Sequence, residues 1–230
     1  MVNKYGEPML KLTYIGHSAF LVDDGKTRII IDPFITKNPQ TKMRAEDIKV
    51  NYIALTHAHG DHFGDTIDIA KNNNAEIIAV AELASYCSSQ GLKSHSVGVG
   101  GSFKIPSGGK IRFAIAHHSS SLDDKYMGDA VGIIVTMDSK NIYHCGDTGV
   151  FYDMKLIGEM TPIDVMLVPI GDMFTMDIEQ AVKAVELCNP KIAVPIHYYA
   201  QKTDPTIFVD KVNQIGKKAL VMQPGETMDI

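Results

Sequence analysis

Thr56-His57-Ala58-His59-Gly60-Asp61-His62-Phe63-Gly64-Asp65 gathers three histidines and two aspartates into one short stretch. It follows directly on Tyr52-Ile53-Ala54-Leu55, an apolar run whose length and composition predict a buried strand. The imidazoles are thereby placed at a strand's C-terminal end. Imidazole and carboxylate together suit zinc, manganese or iron, and the i, i+2 spacing of His57 and His59 fits extended or turning backbone, not a helix face. The i, i+4 histidine pair of a helical, thermolysin-like zinc site is absent from the stretch. Asp61 and His62 are adjacent, and adjacent side chains on a tight loop diverge, a geometry suited to feeding two neighbouring metals. A lone histidine at a strand end is ordinarily a hydrogen-bonded loop residue. Packing gives no reason to gather this many ionisable groups beside an apolar strand, so the stretch predicts a metal site.

Upstream, residues 10–15 alternate apolar and polar, and 19–22 and 28–31 continue as strands around the turns Gly16-His17-Ser18 and Asp24-Gly25. This meander ends at Asp32-Pro33, and residues 35–47 read as a polar loop bordering the site. Downstream, the pattern predicts a short helix over 65–72 with Asp65 as N-cap, a strand over 76–80, and a helix over 82–90 stopped by Gly91. Gly98-Val99-Gly100-Gly101 and Gly108-Gly109 predict hairpin turns, because no dinucleotide or P-loop spacing is completed.

Strands follow over 111–116, 130–137, 142–146, 165–170 and 192–196; the first ends at His117-His118, the third at Asp147 and the last at His197. Neighbours on a strand face opposite ways, so at most one of His117 and His118 faces the site, and local sequence does not choose between them. By the same alternation His144 faces away from Asp147 and is structural. An amphipathic helix over 177–187, a helix over 205–216 capped by Asp204, and a strand pair of 219–222 with 226–229 complete the pattern. Strands first, then alternating strands and helices, predict two sheets packed face to face and covered by helices, an α+β arrangement.

The chain has 230 residues, enough for one domain over 1–230 with a substantial core. Apolar content of 45% with 21% charged residues is ordinary for a globular protein, and no apolar run approaches the roughly 20 residues of a membrane span. The opening Met1-Val2-Asn3-Lys4-Tyr5-Gly6-Glu7-Pro8 has no apolar signal core, so a cytoplasmic location is expected. Cys87, Cys145 and Cys188 are too scattered for a disulfide framework and read as small buried residues. A net charge of −5 without a Lys/Arg run argues against a large nucleic-acid footprint. A small-molecule substrate is expected, and a homo-oligomer is left open.

His-x-His-x-Asp-His after a hydrophobic strand resembles the signature of the metallo-β-lactamase superfamily. Gly16-His17-Ser18-Ala19-Phe20, His144-Cys145-Gly146-Asp147-Thr148-Gly149 and Phe174-Thr175-Met176 occur in order around it. They extend the resemblance to small metal-dependent hydrolases similar to ascorbate-6-phosphate lactonases and N-acylphosphatidylethanolamine phospholipases D. The resemblance implies a four-layer αββα sandwich of two mixed sheets flanked by helices, with metals at one edge between the sheets. It implies His57, His59 and His118 on one divalent ion, Asp61, His62 and His197 on another, and Asp147 bridging, with no position missing. It favours His118 over His117 and gives Asp32 a supporting role behind the metal loop.

Zinc is the first expectation for the two ions, with manganese, nickel or iron as alternatives. The carboxylate that replaces the second histidine in flavodiiron-type oxygen reductases of this fold is absent, which implies hydrolysis rather than redox chemistry. The implied nucleophile is a metal-bound or bridging hydroxide acting on a small ester, lactone or phosphodiester, with Asp61 or Asp147 aligning it and taking its proton. Ser119 and Ser120 lack an identified histidine base and read as loop or substrate-contact residues. A nuclease of the same fold and a non-catalytic metal-binding protein are the competing readings. His17 is either a hydrogen-bonding turn residue or, through the similar Gly-His motif of the relatives, a residue facing the metals as an extra ligand or an acid; the second is the expectation.

Overall fold

In the computed structural model, which describes residues 9–230, the alternating opening forms β1 (Lys11–Gly16), β2 (Ala19–Asp23) and β3 (Arg28–Ile31), joined to the buried run of β4 (Tyr52–Ala54). The opening stretch read above as lacking a signal core lies outside the described residues. One helical turn, α1 (Gly60–Phe63), precedes α2 (Thr66–Asn73), β5 (Glu76–Ala79), α3 (Ala81–Ser89), β6 (Ser94–Ser96), β7 (Ser102–Lys104) and β8 (Lys110–Ile115). A small hairpin of β9 (Ser121–Leu122) and β10 (Lys125–Tyr126) leads into β11 (Val131–Met137) and β12 (Lys140–His144). The chain closes with α4 (Met154–Met160), β13 (Val165–Pro169), α5 (Ile178–Cys188), β14 (Ile192–Ile196), α6 (Pro205–Gln214) and β15 (Thr227–Asp229).

Seven strands form one sheet in the order β15-β1-β2-β3-β4-β5-β6, and six form the other in the order β14-β13-β12-β11-β8-β7. Both are mixed: β3 to β6 pair in parallel beside an antiparallel meander, and β12, β13 and β14 pair in parallel beside antiparallel β11, β8 and β7. One apolar cluster joins facing strands of the two sheets (Phe20, Ile30, Phe113, Ile133, Leu167) and continues under α2 and α3 through Ile69 and Leu83. A second lies between the other sheet and its helices, where Met166 and Val168 meet Met154, Ala181, Val185 and Phe208. Helix, sheet, sheet and helix make the four-layer αββα sandwich.

Strand direction decides where function sits. The pairings run β1, β3 and β4 the same way in one sheet, and β8, β12 and β14 the same way in the other. Their C-terminal ends release His17, Asp32, His57, His118, Asp147 and His197. Hydrogen bonds from Val131 N to Thr56 O and from His197 N to His17 O, both 2.9 Å, tie the two sheets together beside these ends.

Several local expectations need correction. Residues 219–222 and 226–229 do not pair with each other: Ala219 bridges Ala193 in the second sheet, while β15 pairs with β1 in the first. The alternating pattern records that both segments are extended but not which edge each joins. Asp65 stands at the N-cap position of α2 without capping it, because its carboxylate accepts hydrogen bonds from the Ile35 and Thr36 amides and the Thr36 hydroxyl. It pins the 35–47 loop instead, and that loop contains a short 3-10 turn, Ala45–Asp47. Asp177 and Asp204 do cap their helices, accepting from Gln180 N and Thr206 N.

Candidate metal centre

After β4 the chain leaves the sheet as extended backbone through His57 and His59, then turns once as α1, which carries Asp61 and His62. The adjacent pair is therefore on a helical turn, not a loop, and it does not diverge to separate sites. Asp61 and His62 join His17 and His197 in one group of donor atoms lying within 4.8 Å of one another, while His57, His59 and His118 form a second such group. The turn is held close to its neighbour by Gly64, at φ +42, where a Cβ would lie 2.5 Å from the Pro33 carbonyl oxygen.

Asp147 lies between the groups. Its Oδ1 is 3.2 Å from His62 Nε2, and its Oδ2 is 3.1 Å from His197 Nε2 and 3.7 Å from His118 Nε2. Despite these distances, His62 Nε2, His197 Nε2 and Asp147 Oδ1 are buried atoms without an aligned hydrogen bond. An unpaired buried polar atom costs about 1–3 kcal/mol. Imidazole nitrogens and a carboxylate oxygen converging without bonding one another fit a divalent cation between them, and the His/Asp donor set suits zinc and its transition-metal neighbours.

The ring orientations are set from behind. Asp32 Oδ2 accepts from His62 Nδ1 at 2.7 Å and from the Thr56 hydroxyl at 2.5 Å, and Asp32 Oδ1 accepts from Thr56 N at 2.8 Å. With its proton directed to Asp32, Thr56 Oγ1 accepts from His57 Nδ1 at 3.0 Å. This network assigns the protons of His57 and His62 to Nδ1, turning Nε2 of each toward the donor groups. Ser120 Oγ accepts from Ala58 N at 3.2 Å and braces the same loop, so Ser120 is a loop residue, whereas Ser119 lines the cavity.

Charge couples the site. Burial raises the Asp147 carboxyl, but His62 and His197 outweigh it and hold the group well below the usual carboxylate range. Burial lowers His197, yet Asp147 and Asp61 push it up to about 9. His62 also resists burial, held well above the ordinary histidine value by Asp147 and Asp32. His57 follows burial and lies well below it, with neighbouring His62 adding to the shift.

All eight residues singled out in the sequence, His17, His57, His59, Asp61, His62, His118, Asp147 and His197, meet at this edge. His17 combines both of its readings. It is a turn residue at φ +57, with its amide donating to Gln40 Oε1 at 2.5 Å, and its Nε2 lies 3.1 Å from Asp61 Oδ2. His117 is exposed and sits edge-on to Phe151, while His118 turns inward. His144 donates Nε2–H to Ser18 O and accepts from Gly146 N, away from the donor groups. Cys145 packs with Tyr143 and Cys188 in the apolar cluster under α4 to α6.

Thr56 and Gln40 are participants that sequence reasoning passed over. Gln40 links the His17 amide to the Tyr198 carbonyl, at 2.6 Å on the latter side. Neither carried a signal beyond its polar type; only the fold brings residue 40 to residues 17 and 198.

Residues 27–198 match the family described as "Beta-lactamase superfamily domain", and the chain belongs to that superfamily. Within it, the relatives are metal-dependent hydrolases. One from Carboxydothermus hydrogenoformans, a UPF0173 metal-dependent hydrolase, is 42% identical over 226 residues, covering 94% of this chain and 98% of its own. Another UPF0173 metal-dependent hydrolase, from Staphylococcus carnosus, is 45% identical over 229 residues with the same coverage, 94% and 98%. Among solved structures, Igni18, described as a novel metallo hydrolase from the archaeon Ignicoccus hospitalis, aligns with a TM-score of 0.89 at 39% identity, covering 96% of this chain and 98% of its own.

Proposed function

We propose that residues 1–230 act as one binuclear metal-dependent hydrolase domain on a small ester, lactone or phosphodiester. The observation that supports the reading most is the position of Asp147, whose two oxygens border both donor groups at 3.1–3.7 Å. His57, His59 and His118 would hold one ion and Asp61, His62 and His197 the other, with Asp147 shared. Zinc is the first candidate; manganese, nickel and iron accept the same donors. When bound, such a pair lowers the pKa of water from about 15.7 to about 7 and offsets charge on the attacking and leaving oxygens.

The remaining steps fall to the chain's own groups. Asp61, partly exposed at the cavity wall, orients the attacking water and accepts its proton at Oδ2, with Asp147 opposite. His17 Nε2 fixes that carboxylate from behind, and Asp61, once protonated, returns the proton to the leaving group. The cavity, about 390 Å3, is sized for a small molecule.

The test is metal analysis of purified protein followed by chelation and reconstitution, read on a panel of esters, lactones and phosphodiesters. Turnover is expected to vanish on chelation, to return with zinc or manganese, and to be lost in Asp61→Ala. Full turnover by metal-free protein overturns the reading.

A further inference from the structure

One apolar side chain, Phe174, borders the otherwise polar metal cavity, and the loop that carries it is firmly attached. Between β13 and α5, Gly171 N donates to Thr175 Oγ1 at 3.1 Å, Asp172 N to Met176 O at 3.0 Å and Thr175 N to Asp172 O at 2.8 Å, while Met176 is fully buried. Gly171 lets the loop lie against the site, since a Cβ there would be 2.3 Å from His197 O. The tip carries Met173 and Phe174, 84% and 70% exposed, and Phe174 lines the cavity together with His59, Asp61, His118 and His197. An aromatic ring held at the wall of a cavity on a closely stapled loop offers a rigid apolar face for a bound molecule to pack on.

A second cavity of about 500 Å3 shares His118 with the first and is walled by Val99, Ile115, Ala116 and Ala130, with His117 and Asp129 also lining it. Val99 and Ile115 are 49% and 38% exposed. Among the described residues no lysine or arginine lines either cavity, and the carboxylates present are Asp61, Asp147 and Asp129. The arm of an anionic ligand, beyond the donor groups, meets no lysine or arginine along these walls, whereas an uncharged arm finds Phe174 on one side and Val99, Ile115, Ala116 and Ala130 on the other.

We infer that the site takes an uncharged carbonyl substrate, an ester or lactone bearing an apolar acyl or aryl arm, and that Phe174 sets this preference by packing on the arm. The inference rests on the metal-hydrolase reading and narrows it from three substrate types to two.

Hydroxamates, which chelate zinc without being turned over, test it by calorimetry on the zinc-loaded protein. Octanohydroxamate should bind about tenfold or more tightly than acetohydroxamate, the gain coming from buried methylenes. Suberic acid monohydroxamate, a similar arm ending in a carboxylate, should lose most of that gain. Phe174→Ala should shrink the octanoyl advantage severalfold and leave acetohydroxamate affinity within about twofold, because the variant does not touch the donors. Equal affinity of the short and long neutral probes, an unchanged advantage in Phe174→Ala, or preference for the anionic arm would overturn the inference while leaving the metal reading intact. Failure of acetohydroxamate itself to bind would defeat the metal reading first, and the inference with it.

Discussion

The two donor groups are built differently. His57, His59 and His118 are all imidazoles, and His59 and His118 reach the open cavity. His17, Asp61, His62 and His197 include a carboxylate, and His62 has no exposed surface and is backed by Asp32. Asp61 and His197 line the same cavity, so both groups meet it, but a dication at the second group meets more negative charge. The all-imidazole group is the open one, and the carboxylate-bearing group, closed from behind by Asp32, is better placed to retain its ion.

The largest effect should come from removing what the two groups share. Asp147→Ala deletes the carboxylate that borders both, and it leaves His62 and His197, which owe their raised proton affinity largely to it, facing each other. Metal content measured after gel filtration should fall at both sites. Turnover should drop by more than the roughly 10–100-fold that follows loss of an outer partner. Retention of two ions by this variant would break the comparison at its root.

Separate removal sharpens it. His59→Ala should lose one equivalent of zinc, with the tighter one retained, whereas His197→Ala should lose the tighter one; competition against a metallochromic chelator separates the two outcomes. Equal loss from both variants would mean that the groups are equivalent despite their surroundings.

Behind the closed group, His17→Asn tests the hold on Asp61 without adding backbone strain, because asparagine tolerates the left-handed conformation that His17 occupies at φ +57. A kcat reduced about 100-fold with little change in melting temperature is the expected result. Unchanged kinetics would leave His17 as a turn residue only. One step further out, Asp32→Asn should weaken metal retention about 10–100-fold, more at the His62 side than at the His59 side. A uniform loss would show that Asp32 supports the whole loop rather than one group.

This asymmetry was only partly legible in the sequence. Imidazoles and carboxylates at the ends of buried runs announce themselves, because His57, His118, Asp147 and His197 each follow an apolar stretch that has to be a strand. Their partition into an open and a closed group depends on the direction of each strand and on how the two sheets meet, which local periodicity does not encode. The same limit explains residues 219–229, whose extended character was visible but whose two halves join different sheets. Asp65 shows a competition between uses: its type and place suit a helix cap, yet the amides of Ile35 and Thr36 take its carboxylate. The two-residue strands β9 and β10 are too short to leave a period.

The smallest effect falls at Thr56, whose hydroxyl connects the groups. His57 of the open group donates to it, and it donates to the Asp32 carboxylate that also holds His62 of the closed group. Thr56→Val keeps the branched shape and the backbone bond from residue 56 to Asp32 Oδ1, so the loop retains its main anchor. What it removes is the acceptor for His57 Nδ1–H, leaving a buried donor unpaired at a cost of about 1–3 kcal/mol and freeing the ring to change tautomer. Because His62 keeps its own bond to Asp32, the loss should appear as about a tenfold weaker affinity at the open group, with the closed group changed by less than about threefold. A titration in which both affinities fall together would mean that the hydroxyl transmits between the groups, and that the open and closed ions do not behave independently.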